Sequence, residues 1–219
     1  MRYKTCVAIA EKNPKKLTNM VKKGLKKSDF AEIRFDFLKP SDIPDALELV
    51  KRQLQRCVCT LRPKTQGGKF SGSENERKSI LKLIAEYNPY LLDVEFETLR
   101  KDKKFVKSMK TSKTKILVSW HDFKKTPNLI SLKKTLRKMT KLSDFVKIVT
   151  MAKTVNDATK ILSLYSNISK TKLIAFSMGE EAKFTRILCL HMGSPFTYVS
   201  LEKAIAPGQF SLDEVKSMN

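Results

Sequence analysis

Lys147 has more chemistry open to it than any other residue in this chain. It sits in Phe145-Val-Lys-Ile-Val149, an apolar run of strand type, whereas the other lysines collect in helix-like segments or at strand entrances. Period-two alternation places Lys147 on the same face as Phe145 and Val149, so its amine is expected in an apolar interior. Desolvation and nearby like charge both favour a neutral amine. A neutral amine is a nucleophile that condenses with a ketone or aldehyde to give a Schiff base. On the residue pattern alone, a lysine paired with Glu95 or Asp93 is an equally good reading. His121, in Ser119-Trp-His-Asp-Phe123, is one of 2 histidines and ends the strand-like run preceding that of Lys147. An ordinary imidazole titrates near neutrality, which suits a general acid–base role there. His191, on a later helical segment, reads as structural.

Two further runs, Glu32-Ile-Arg-Phe-Asp-Phe37 and Asp93-Val-Glu-Phe-Glu97, carry a charge at every second position. Alternation sends Glu32, Arg34 and Asp36 to one face and Ile33, Phe35 and Phe37 to the other. Alone, that pattern describes an antiparallel strand with one wet face. Each run lies between helix-like segments, however, so the strands are expected to be parallel and covered on both faces. Charges inside such strands point into a polar pocket. Arg62 closes the third strand-like run, and Arg186 lies in the helical segment after the seventh. Three arginines at one mouth (Arg34, Arg62 and Arg186) call for an anion, most simply a carboxylate held by a guanidinium fork. Arg100 and Arg137 read as surface residues.

The elements that must position these groups alternate strictly. Strand candidates are 3–10, 31–38, 57–62, 90–97, 116–122, 145–151, 173–178 and 196–201. Helix candidates fall between them at 14–27, 40–55, 74–87, 99–110, 127–141, 155–166 and 180–192, with a short one at 211–217. Asn13 followed by Pro14 is a helix start signal, and Leu129-Ile-Ser-Leu-Lys-Lys-Thr-Leu136 shows helical apolar spacing. β-then-α alternation implies right-handed crossovers, and eight units match a single-domain (β/α)8 TIM barrel over residues 1–219. A doubly wound sheet would want a glycine-rich first turn, where this chain has Glu11-Lys-Asn-Pro14. The glycine cluster Thr65–Ser73 lacks the end of a phosphate-binding loop and is expected to be a mobile loop at the barrel mouth.

Composition narrows the class. The 219 residues, 41% hydrophobic with 7 Gly and 8 Pro, describe a globular chain rather than a disordered one. No signal pattern or apolar stretch of membrane length is visible, so a cytoplasmic protein without a membrane partner is expected. Cys6, Cys57, Cys59 and Cys189 lack zinc-type spacing and read as buried, reduced thiols. No metal is expected. The formal charge of +22 invites a nucleic-acid reading. Its lysines are spread over helix faces without interleaved aromatics, so no nucleic-acid partner is expected. A positive field that gathers anionic substrate fits better.

In order along the chain stand Glu-Ile-Arg-Phe-Asp at 32–36, Thr-Leu-Arg-Pro at 60–63, Asp-Val-Glu at 93–95, and Ser-Trp-His-Asp-Phe at 119–123. Val-Lys-Ile at 146–148, Phe-Ser-Met-Gly at 176–179, Arg186 and Ala-Pro-Gly-Gln at 206–209 complete the series. Together they resemble the type I 3-dehydroquinate dehydratases over nearly the full chain. That resemblance implies a cofactor-free syn elimination converting 3-dehydroquinate to 3-dehydroshikimate in aromatic amino-acid biosynthesis. It implies Lys147 as the imine-forming residue, His121 as the proton shuttle and Arg186 as the carboxylate grip. Glu32, Arg34, Arg62 and Gln209 would hold the ring hydroxyls, Met178 would pack on the ring, and the loop of Gln209 would close over the site. A homodimer is implied as well. Two positions depart from the family pattern. Gln66 stands where a glutamate commonly partners the histidine, leaving Glu95, with Asp93 nearby, as the supporting carboxylate. Ile205 replaces a small hydroxyl residue, at a cost of about 1 kcal/mol of binding. Two rival readings are a Schiff-base aldolase on the same fold and a catalytically lapsed, nucleic-acid-binding barrel.

Overall fold

The computed structural model describes residues 3–168, 170–202, 204 and 206–218. Strands β1 (Thr5–Ile9), β2 (Phe30–Arg34), β3 (Cys57–Thr60), β4 (Leu91–Glu95), β5 (Ile116–Asp122), β6 (Phe145–Met151), β7 (Lys172–Met178) and β8 (Thr197–Ser200) each follow the preceding one through helix. The helices are α1 (Pro14–Lys27), α2 (Ile43–Val50), α3 (Glu74–Glu86), α4 (Phe96–Lys101), α5 (Lys103–Thr111), α6 (Leu129–Met139), α7 (Val155–Leu162), α8 (Thr185–His191) and α9 (Leu212–Ser217). The chain divides into two compact units, Val7–Ile116 and Leu117–Asn219 with Met1–Cys6. No helix of the described residues is long and apolar enough to cross a membrane.

In the unit Val7–Ile116, β2 pairs in parallel with β3, Arg34 standing opposite Thr60, and β3 pairs with β4, Thr60 opposite Asp93. β3 and β4 are buried throughout, as parallel strands covered on both faces must be. Burial pushes the Cys57 thiol up to about 12 and Cys59 well above its usual value, so both are inert. α1 starts where the sequence says it should: the Asn13 side chain accepts from the Lys16 amide at 3.1 Å, and Pro14 opens the helix. Leu17 and Val21 bury one face, and Arg56 donates to the carbonyls of Leu25, Ser28 and Asp29 at the far end.

In the other unit, β5, β6 and β7 run parallel in register, with Ser119 opposite Lys147 and Lys147 opposite Ile174. Side-chain caps start α6 at Asn128 and α7 at Thr154, and Ser211 with Glu214 makes a capping box for α9.

Both charge-alternating strands stop earlier than their pattern predicts. β2 ends at Arg34, and residues 35–37 form a turn closed by the Leu38 amide donating to the Phe35 carbonyl at 3.0 Å. β4 ends at Glu95, and α4 begins at once because Phe96 and Leu99, three residues apart, bury one helical face. The single helix expected at 99–110 is broken at Asp102, whose carboxylate accepts from the Phe105 amide at 2.9 Å and so starts α5. The segment 65–73 is a hydrogen-bonded loop. Phe70 donates to the Arg62 carbonyl and Gly68 to that of Pro63. A Cβ at Gly68 would lie 1.9 Å from the Arg62 oxygen, so only glycine allows the loop to fold back there.

Candidate active site

Lys147 is 6% exposed, in the middle of β6. Its Nζ lies 4.1 Å from the centre of the Tyr198 ring on β8. Tyr198 is braced edge-on by Phe196 at 5.5 Å and lies 6.4 Å from Phe176 on β7. Phe176 in turn carries a guanidinium: the Cζ of Arg186, from α8, stands 4.3 Å from the centre of its ring. Arg186 is 2% exposed and makes no ion pair among the described residues. Burial pushes its pKa down to about 10, against weak support from Cys189 and Glu180. A guanidinium so placed gains strongly from an anion. One of its nitrogens, Nη2, donates to the Pro207 carbonyl at 3.1 Å, tying α8 to the segment that carries Gln209. That segment turns at Gly208, with φ of +65°, against the backbone of Gly179.

His121, the penultimate residue of β5, is half-buried and stacks on Phe123 with ring centres 5.6 Å apart. Registered neighbours in a parallel pair point to the same face. With Ser119 opposite Lys147 and His121 opposite Val149, His121 shares the face of Lys147 and lies about 7 Å further along the strands. Met178, also buried, ends β7 on that face opposite Met151, and Gln209 is buried. This unit therefore assembles an amine, an imidazole and an anion-seeking guanidinium. Ile205 lies outside the described residues.

The unit Val7–Ile116 assembles ion pairs. Arg62 donates through Nη2 to Asp93 and through Nη1 to Glu95, both at 2.7 Å and all three buried. The fields of Asp93, Glu95 and Glu32 overcome the opposing effect of burial and raise Arg62 above its usual value. Glu32 accepts from the Thr60 hydroxyl at 2.8 Å. Arg34 spends Nε and Nη2 on a two-pronged bond with Asp36 at 2.8 Å, which leaves Nη1 for other work. Both oxygens of Glu95 accept from guanidinium groups, the second being that of Arg77. Gln66 lies half-buried in the turn Lys64–Gln66.

Three residues that sequence reasoning passed over belong to these clusters. Tyr198 and Phe176 read as core aromatics. The alternation of Tyr198 with Ser200 at the end of a strand was the available signal. Arg77, with Glu74 three residues before it, looks like a solvated helix pair, yet it is 1% exposed.

Eight parallel β/α units define a (β/α)8 barrel, the fold class expected from the sequence. The family model for Type I 3-dehydroquinase matches residues 5–218. This chain belongs to that family. It is 36% identical over 216 residues to a 3-dehydroquinate dehydratase of Methanococcus maripaludis, with 97% of each chain covered. It is 34% identical to that of Methanocaldococcus jannaschii, covering 97% of this chain and 96% of the relative. Among solved structures, the 3-dehydroquinate dehydratase of Geobacillus kaustophilus superposes with a TM-score of 0.90 at 21% identity, covering 99% of this chain and 90% of the other. The type I enzyme of Clostridium difficile, solved with covalently modified comenic acid, gives 0.87 at 25% identity, covering 99% and 91%.

Proposed function

We propose that this chain dehydrates 3-dehydroquinate to 3-dehydroshikimate through an imine at Lys147. The Lys147 amine adds to the C3 ketone, and the resulting carbinolamine loses water to leave an iminium. That cation withdraws electrons from C2, so its proton becomes acidic enough for His121 to remove. The electron pair left at C2 expels the C1 hydroxyl, which takes a proton from His121 and departs as water. Hydrolysis of the product imine restores the amine. The iminium is the electron sink, so this route uses no metal or cofactor.

Arg186 is assigned to the substrate carboxylate. Its burial on an aromatic face, with a depressed pKa, is what an anion would relieve. Glu32, Arg34, Arg62 and Gln209 are assigned to ring hydroxyls, with Asp93, Glu95 and Gln66 in support and Met178 packing on the ring. The loop of Gln209 would exclude water on closing. The reading extends to a single catalytic domain, a homodimer, a cytoplasmic location and a step of the shikimate pathway.

Buried Lys147, held over an aromatic ring in a chain of this family, carries the proposal. Borohydride reduction in the presence of 3-dehydroquinate, followed by mass mapping, tests it. The adduct is expected on Lys147, and a stable adduct elsewhere, or none during turnover, overturns the imine route.

A further inference from the structure

Arg77 is among the largest fully buried side chains in the molecule, and the reaction outlined above makes no use of it. It rises from α3 and engages four partners. Nε and Nη2 grip the two oxygens of Glu74 at 2.9 Å, Nη2 also donates to the Thr98 hydroxyl, and Nη1 donates to Glu95 and to the Leu61 carbonyl. Thr98 in turn donates to Glu74 at 2.9 Å, closing the outer ring of the cluster. Burial works against the charge, but Glu74 and Glu95 outweigh it and hold the Arg77 guanidinium above its usual value. Through Glu95 the chain of bonds continues to Arg62, and Leu61 is the residue immediately before Arg62.

We propose that Arg77 is a positioning residue that fixes Glu95 and, through it, the pose of Arg62 for substrate binding. This rests on the assignment of Arg62 to a ring hydroxyl. Two physical arguments support it. The Glu95 carboxylate, with one oxygen on each guanidinium, cannot rotate without breaking a buried charged bond. The second is charge: Arg62 alone faces both Asp93 and Glu95, and Arg77, which also pairs with Glu74, brings a further positive charge to Glu95. Without it, one buried oxygen of Glu95 would lose its charged partner, and the carboxylate would be held by Arg62 alone.

The test compares Arg77→Met, Arg77→Lys, Glu74→Gln and Thr98→Val with the wild type in melting temperature, in kcat and KM for 3-dehydroquinate, and in borohydride trapping at saturating substrate. Arg77→Met is expected to raise KM about tenfold or more with kcat within about threefold and trapping at saturation unchanged, and Arg77→Lys to lie between. If Arg77→Met does not fold, the milder Glu74→Gln and Thr98→Val decide, each expected to raise KM roughly two- to fourfold. A lowered melting temperature with KM unchanged in every folded variant makes the network purely structural and overturns the proposal. A wild-type protein that turns nothing over overturns the dehydratase reading instead, and this inference goes with it.

Discussion

The two units hold their buried basic groups by different means. In Val7–Ile116, Arg62 and Arg77 are gripped by carboxylates at charge-assisted hydrogen-bond distance. In the unit from Leu117 onward, Lys147 lies on Tyr198 and Arg186 lies on Phe176. A carboxylate fixes both the place and the donor directions of a guanidinium, and removing it strands a buried charge. An aromatic face attracts a cation by about 0.5–2 kcal/mol without claiming a particular N–H or lone pair. The first arrangement suits a group that must present one rigid surface. The second suits groups whose nitrogens must stay available, as the roles proposed for Lys147 and Arg186 require.

The sharpest way to break that contrast is to remove the amine. Lys147→Ala is expected to lower turnover by on the order of a thousandfold or more while the protein still melts cooperatively. His121→Ala should still bind substrate. Turnover near the wild-type rate in the lysine variant would make the ring-held amine a packing feature. Arg186→Met comes next. Loss of a buried partner for a carboxylate is expected to raise KM about a hundredfold, with Arg186→Lys between. An unchanged KM would mean that no anion is held on the Phe176 face.

Tyr198 sharpens the contrast from the ring side. The ring quadrupole favours a positive charge near Nζ, so it would stabilise the proposed iminium over the neutral amine that forms it. Tyr198→Leu is therefore expected to lower kcat about tenfold, and Tyr198→Phe, which keeps the ring, to stay within about threefold. Equal losses in the two variants would point to the hydroxyl instead of the aromatic face.

The difference between the units also explains what could be read from the residues alone. A lysine inside an apolar strand, or a histidine ending one, contradicts its own local pattern, and so Lys147 and His121 stand out without a structure. The fold class was legible for a related reason, since β/α alternation is a local periodicity repeated eight times. Strand ends were less legible. Period-two alternation runs on through Phe35–Phe37 and Phe96–Glu97, but a turn and a helix supersede it, burying Phe35 and Phe96. Arg77 was the least legible residue. A helix with acid and base three residues apart reads as a surface pair, and only the packing of α3 over Glu95 and Thr98 turns it into a buried one.

The smallest expected effect concerns acid. Burial raises the Glu74 carboxyl, but the hydrogen bond and charge of Arg77 and the Thr98 hydroxyl more than offset it and leave Glu74 below its ordinary value. A carboxylate depressed in the folded state stabilises the fold above the ordinary carboxylate range near pH 4.3, and that contribution disappears as pH falls through the folded value. Asp157, in the other unit, is also depressed, by the Lys153 amide and by Lys160, but its partner lysine is partly solvated. Melting temperature followed from pH 6 to pH 3 should therefore fall less steeply in Glu74→Gln than in the wild type. The two curves should converge at the acid end and part by about 2 °C near neutrality, the scale of a partly exposed pair. Asp157→Asn should flatten the curve less. If it flattens the curve as much as Glu74→Gln does, a carboxylate facing a buried guanidinium is worth no more to this fold than one facing solvent, and the distinction between the units does not extend to stability.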